Sequence, residues 1–241
     1  MRRLALLAFL TLALTKPTHA GDLGLGPGFT QGDLDAIAEA LGDVVTFPNL
    51  ATAVPGGVTG FQILGAAGGP EVNTSDHWWG YVSHANTVGG VLLGPRVIVR
   101  KGLPGRLDVG AQVGNVFGDR FWGGDVRWGF VEGGTLSPAA ALRVAYSRLD
   151  SSLFDRFEVA EGQLVISKGF LIVSPYGAVG YRRVFGSASF GEPVPSRHSA
   201  DTSGFTAAVG AKLGLLPFLH LIGEVRRTTV TCVFVGAGVG L

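Results

Sequence analysis

The stretch Gly204-Phe205-Thr206-Ala207-Ala208-Val209-Gly210-Ala211-Lys212-Leu213-Gly214-Leu215 decides the fold class. In an extended chain successive side chains point to opposite faces. Phe205, Ala207, Val209, Ala211, Leu213 and Leu215 therefore share one side, and Thr206, Ala208, Gly210 and Lys212 share the other. One side suits hydrocarbon and the other a wet or packed interior, over a length that carries a tilted strand across a bilayer (about 9–11 residues).

The same sorting extends outward from this stretch. Residues 120–132 put Trp122, Val126, Trp128 and Phe130 outward and Asp125 and Arg127 inward. Residues 139–149 put Leu142, Val144 and Tyr146 outward and Arg143 and Ser147 inward. Stretches 91–101, 106–117, 157–168 and 218–227 follow the pattern, while 58–68 and 174–185 alternate less cleanly. The last stretch, 230–241, aligns Val233, Val235, Ala237, Val239 and Leu241 and points Cys232 inward beside Phe234.

Composition explains what the outward face meets. The chain is 46% hydrophobic and only 15% charged, and it has 39 glycines in 241 residues, more than twice the usual share of about 7%. Past the first twenty residues the longest apolar run, 213–223, is interrupted by Pro217 and His220, so it offers no spanning helix. A closed barrel is the other backbone that satisfies its own hydrogen bonds in lipid. A soluble β-sandwich also alternates, but strand length, outward tryptophans and low charge argue against it. The expected fold is all-β: a transmembrane antiparallel up-and-down β-barrel of about ten strands, with eight or twelve open, and a short N-terminal helix.

Arg2 and Arg3, the apolar run 4–14 and Thr18-His19-Ala20 predict a cleaved signal peptide over 1–20, an N-terminal extension over 21–57 and a barrel over 58–241. Removing Arg2, Arg3 and Lys16 leaves 16 basic against 18 acidic residues, a balance that gives no reason to expect nucleic acid. With Cys232 the sole cysteine, no intrachain disulfide is possible, and the register predicts a buried, inert thiol. Short connections near 101–105, 132–134, 168–170 and 215–217 alternate with long ones near 69–90 and 186–202. Both barrel ends are then expected on the short-turn, periplasmic side.

Residues 30–45 have helical periodicity instead: Leu34, Ile37, Ala38, Leu41 and Val45 form one stripe and Asp35, Glu39 and Asp43 another. Thr30 with Asp33 suits a helix start, and Gly42 a stop. No Lys or Arg occurs between Lys16 and Arg96, a stretch holding seven acidic residues; of the 18 this leaves 11, against 16 basic. The register lines the lumen with Arg96, Arg100, Arg127, Arg143, Lys212 and Arg226 against Asp108, Asp125, Glu161 and Glu224. Such charges either line an aqueous path or pair into a structural network. Ten strands lie near the filled end of the size range, which favours the network. The helix is expected to plug the periplasmic mouth, pairing Asp35, Glu39 or Asp43 with Arg96, Arg100 or Arg143.

Several stretches carry a resemblance: Val58-Thr59-Gly60-Phe61, Lys101-Gly102-Leu103-Pro104 with Asp108-Val109-Gly110-Ala111, Glu132-Gly133-Gly134, Leu142-Arg143 with Tyr146-Ser147-Arg148-Leu149, Ile166-Ser167-Lys168-Gly169-Phe170, and Pro175-Tyr176. From about residue 33 to 216 the chain resembles an uncharacterised family of small bacterial outer-membrane β-barrel proteins. That resemblance implies fold and location, and no activity.

Gly24-x-Gly26-x-Gly28 and Gly236-x-Gly238-x-Gly240 neither follow a strand nor open a helix, as nucleotide binding requires. Asp76, His77, His84, His198 and Asp201 in the long loops could supply an Asp-His or Ser-His pair, but no motif spacing supports one. A metal site there is weaker still. Trp78, Trp79 and Tyr81 suit an aromatic girdle at the membrane surface better than a lid. The expectation is an exported outer-membrane protein, not an enzyme, porin-like as a narrow or gated channel, or membrane-structural; the alternative is a surface hydrolase (protease or lipid esterase). No cofactor is implied. Its expected partners are outer-membrane lipid and, during insertion, the barrel-assembly machinery.

Overall fold

The computed structural model describes residues 30–240 apart from 74, 82–86, 135–136, 152 and 191–195. The expected signal peptide, the first glycine motif, His84 and Leu241 lie outside the described residues. In chain order the elements are α1 (Gln31–Val45), β1 (Phe61–Pro70), a 3-10 turn (His77–Tyr81), β2 (Thr87–Val88), β3 (Val91–Leu92), β4 (Arg96–Leu103), β5 (Leu107–Val116), β6 (Asp119–Val131), β7 (Ala139–Asp150), β8 (Arg156–Ser167), β9 (Val173–Phe190), β10 (Ser196–Ser199), β11 (Thr202–Gly214), β12 (Leu219–Arg227) and β13 (Thr231–Gly240).

Ten of these strands form a closed antiparallel barrel in the order β1-β4-β5-β6-β7-β8-β9-β11-β12-β13, sealed where β13 returns to β1, with Gln62 opposite Gly240 and Pro70 opposite Cys232. Closure gives each of the ten barrel strands a partner on both sides. Each of the ten stretches read from the sequence coincides with one barrel strand. The stretch 91–101 departs most, since Val91 and Leu92 belong to β3 and β4 begins only at Arg96. β9 also outruns its stretch, to Phe190, because β10 folds back on it and continues the ladder from Ser199 opposite Ser187 to Ser196 opposite Phe190. β2 and β3 form a separate two-stranded sheet within the connection between β1 and β4, and Val91 of β3 also bridges Glu71.

The period-two pattern sets which face meets what. In β11 Phe205 is 85% exposed and Val209 66%, while Thr206 and Ala208 between them are buried. Trp122, Val126 and Trp128 on β6 face out, and Phe121, Asp125 and Arg127 face in. The exterior is thus an apolar belt, with ring contacts between Trp122 and Tyr146, Tyr181 and Phe205, and Trp128 and Phe130.

The barrel has two distinct ends. The connections 104–106, 132–138, 168–172 and 215–218, the start of β1 and the finish of β13 share one, the turn end. The connections 71–95, 117–118, 151–155, 191–201 and 228–230 share the other, the loop end. The tightest, Phe117-Gly118, has positive φ at both positions, as two-residue hairpin turns of the I′ type demand.

Candidate functional site

The lumen is filled by the chain's own residues 30–57, entering at the loop end. Thr30 caps α1: its hydroxyl accepts from the Asp33 N–H, and the Asp33 carboxylate accepts from the Thr30 N–H, a reciprocal capping box. Gln31 donates to the Ser199 carbonyl at 3.1 Å, His198 Nδ1 lies 2.9 Å from Gln31 Oε1, and His77 Nδ1 lies 2.9 Å from Asp33 Oδ1. Hydrogen bonds from His77 and Thr30 hold the Asp33 carboxyl below the usual carboxylate range.

From there α1 descends into the barrel. Leu34, Ile37, Ala38, Leu41, Val44 and Val45 pack against Val116, Phe121, Leu149, Phe157, Val159 and Val184 of the wall and Leu92 of β3. Gly42 does not stop the helix, which runs to Val45. It allows close approach: a Cβ there would sit 2.7 Å from Val184 Cγ2. In the last turn the buried Asp43 forms an ion pair with Arg182 and accepts from the Thr228 hydroxyl at 3.0 Å. The helix ends at Thr46, with Pro48 two residues on.

Residues 46–57 continue without regular structure to the turn end. A chain in this form cannot satisfy its own backbone, and buried unpaired carbonyls are costly. The wall supplies donors. Arg96 donates to the carbonyls of Val44 (2.6 Å) and Thr46 (2.8 Å), Gln112 to Val45 (3.0 Å), and Arg143 to Phe47 (2.8 Å). Arg100 donates to Leu50 (3.2 Å) and Pro48 (3.4 Å), and Arg127 to Thr52 (2.6 Å) and the Asn49 amide oxygen (2.7 Å). The segment's N–H groups are met in turn: Leu50 donates to Glu224, Ala53 to Ser167 Oγ and Gly56 to Asp108. Guanidinium groups suit this role because each offers five donors in a flat fork.

The wall cations are tied to wall carboxylates as well. Arg143 meets Asp125 at 2.7 Å, Arg100 meets it at 3.4 Å, and Arg226 bridges Glu161 (3.1 Å) and Glu224 (3.3 Å). Glu224 also accepts from the Tyr176 hydroxyl at 2.9 Å and Glu161 from Thr206 at 2.9 Å. The guanidinium groups of Arg100 and Arg143 lie over the Phe47 ring at 5.2 and 5.1 Å. At the turn end a cavity of about 80 Å³ remains, bordered by Gly56, Gln62, Arg100, Asp108, Arg127 and Lys212.

All ten residues expected along the lumen face inward; nine are buried and Lys212 is half-buried beside that cavity. The expected pairing of the helix acids differs. Asp35 is exposed and accepts from Gln31, Glu39 is half-buried with no salt bridge among the described residues, and Asp43 pairs with Arg182, while Arg96, Arg100 and Arg143 serve backbone carbonyls. The helix lies in the loop half, away from the mouth expected for it. Its apolar stripe packs on the apolar wall that Val116, Phe121, Leu149 and Phe157 form there.

Arg182 was hidden by the adjacent Arg183, since neighbouring arginines give no sign of which points inward. Gln112, Gln163 and Tyr176 carried no charge to mark them. Trp78 and Trp79, expected in the girdle, pack against the helix cluster in the loop-end mouth. Of the polar loop residues, His77 and His198 hold the helix start, Asp76 accepts from Asn73, and Asp201 from the Gly186 N–H. Among the described residues no group of three or more His, Cys, Asp or Glu could hold a metal ion.

The chain is thus a transmembrane-type β-barrel, ten-stranded, with its lumen occupied. No family profile matches it, and no curated protein matches it in sequence. It is similar in fold to the N-terminal β-barrel domain of Pseudomonas aeruginosa OprF, at 8% identity and a TM-score of 0.39 over 77% of this chain and 99% of that one. It is likewise similar to the Yersinia pestis outer membrane protein Ail (13%, 0.36, over 76% and 99%). The translocator domain of the autotransporter NalP from Neisseria meningitidis is a third likeness (10%, 0.27, over 75% and 88%).

Proposed function

We propose that this protein is an outer-membrane barrel closed by its own N-terminal segment, a membrane-structural protein and not an open pore. One observation carries the reading: the carbonyls of Val44, Val45, Thr46, Phe47, Pro48, Leu50 and Thr52 each accept a hydrogen bond from a wall side chain. Those donors sit in the low-dielectric interior, where pulling the segment out would orphan both partners at once. The apolar belt and its ring contacts support a membrane location, and the first twenty residues support export through a signal peptide followed by insertion by the barrel-assembly machinery. Passage of a solute would require residues 30–57 to leave the lumen.

The test is electrical. A Cβ built at Gly42 lies 3.6 Å from Val184 Cβ, within the range that a disulfide spans (about 3.5–4.5 Å). Gly42→Cys with Val184→Cys should cross-link in the membrane fraction, and in planar bilayers the full chain should be silent whether cross-linked or reduced. Steady openings in the reduced protein that vanish on oxidation would establish a gated conduit instead. Recovery in a soluble fraction, with identical gel migration of boiled and unboiled samples, would overturn the membrane reading altogether.

A further inference from the structure

The exterior cations differ between the two ends of the barrel. At the turn end Arg106 is paired with Glu132 at 2.6 Å, Lys101 donates to the carbonyls of Val58 and Gly60, and Lys168 to those of Gly134 and Ser137. Each is already engaged by the chain itself. At the loop end Arg120, Arg183 and Arg227 are exposed on the outer face and form no salt bridge among the described residues. Arg183 lies over the Phe185 ring at 4.7 Å, Arg227 donates to the Thr231 hydroxyl at 2.9 Å, and nearby Arg148 is shared between Asp150 and Glu158.

These arginines follow an ordered pattern with depth. Moving along each strand from the apolar belt toward the loop end, an outward aromatic comes first and an arginine two residues later on the same face: Trp122 then Arg120, Tyr146 then Arg148, Tyr181 then Arg183. That is the sequence of environments a leaflet presents, from hydrocarbon through interface to headgroup. Arg227 stands at the rim of a shallow groove of about 780 Å³ whose floor is opened by Gly162, where a Cβ would meet nothing within 4 Å, and whose sides include Leu164, Val179 and Phe205. A straight apolar chain fits such a groove, with its polar end beside Arg227. A guanidinium is suited to phosphate because its parallel N–H groups match two oxygens at once.

We propose that Arg120, Arg183 and Arg227 form a headgroup belt that binds the phosphates of a phosphorylated glycolipid in the loop-side leaflet, with one acyl chain lying in the groove beside Arg227. The assignment rests on the outer-membrane reading above. The probe is bis-phosphorylated lipid A, titrated against the refolded full mature chain in neutral phosphatidylcholine nanodiscs, with dephosphorylated lipid A and phosphatidylglycerol as companions. Arg120→Gln/Arg183→Gln/Arg227→Gln should weaken binding of the bis-phosphorylated lipid by about a hundredfold, since each arginine near an anionic surface contributes roughly one factor of five. The turn-end variant Arg106→Gln/Lys168→Gln should change it by less than about threefold. Fold is checked in both by the gel shift on boiling.

Equal loss in the two variants, or equal binding of the dephosphorylated lipid, would overturn the belt. Binding of phosphatidylglycerol as tight as that of lipid A would overturn the choice of glycolipid. The outer-membrane reading fails separately, if the wild-type chain does not fractionate with that membrane in cells, because the nanodisc titration does not depend on cellular location.

Discussion

The two halves of the lumen are filled by the same strand of chain in opposite ways. In the loop half the filler is a helix, whose backbone is satisfied within itself as far as its last turn, so the wall around it can be apolar: Phe121, Phe157, Val159 and Val184 meet Leu34, Ile37 and Leu41. In the turn half the filler is irregular and its carbonyls need partners, so the wall supplies Arg96, Arg100, Arg127 and Arg143, while Arg96 and Gln112 also serve the last helical carbonyls, those of Val44 and Val45. The charge density of the lumen therefore follows the secondary structure of what occupies it. Buried arginine here mostly complements chain at or beyond the end of the helix; Arg182, paired with Asp43 of the helix, is the exception.

That contrast breaks most readily at Arg143, which joins Asp125, Gln163 and the Phe47 carbonyl. Arg143→Met should destabilise the folded barrel by about 3 kcal/mol, because it removes the nearer of the two cations held by the buried Asp125 and leaves the Phe47 carbonyl without that donor. Adding Asp125→Asn should recover part of the loss. Denaturant titration in detergent micelles measures both, and a loss below about 1 kcal/mol for the single variant would mean that the turn half does not depend on its charges. In the loop half Leu34→Ala should cost about 3 kcal/mol through the cavity it leaves, with no rescue from any change of charge. Thr30→Ala should cost about 1 kcal/mol by removing the helix cap.

The smallest expected effect is with pH. The Asp33 carboxyl titrates below its ordinary value in the folded protein, chiefly through His77 and then Thr30. A depressed carboxyl contributes its full stability above the unfolded pKa, near 4, and loses it as the pH falls through the lower folded value. The helix start should stay docked from neutral pH down to about 5 and loosen below about 4. Fluorescence of Trp78 and Trp79, which pack against this helix, reports the transition, and Asp33→Asn should shift it or flatten it.

The strands were legible because membrane and lumen impose a strict alternation, and single residues such as Trp122, Val126, Arg127 and Arg143 sorted correctly by parity alone. The helix was legible at its start, since Thr30 and Asp33 form the box their spacing suggests. Its direction was not, because amphipathic periodicity is the same whichever end enters first. The path of 46–57 was equally silent: it falls in the N-terminal extension, and nothing local in Pro48, Pro55, Gly56 or Gly57 marks that chain as luminal. Charge complementarity pointed to the right partners but the wrong atoms. Arginines opposite an acidic segment suggested carboxylates, whereas an irregular backbone presents a carbonyl at every residue.

The seam between β1 and β13 has a consequence for the order of assembly. It joins Gln62 to Gly240, a contact that must wait for every intervening hairpin and carries the largest loop-closure cost in the ring. Residues 30–57 run inside that ring and lead directly into β1. Once the seam has closed, they can no longer be laid in from the side and could reach their place only by threading end-on past the wall arginines. The segment is therefore best placed before the last hydrogen bonds form, and the ring closes around it like a hoop around staves already standing.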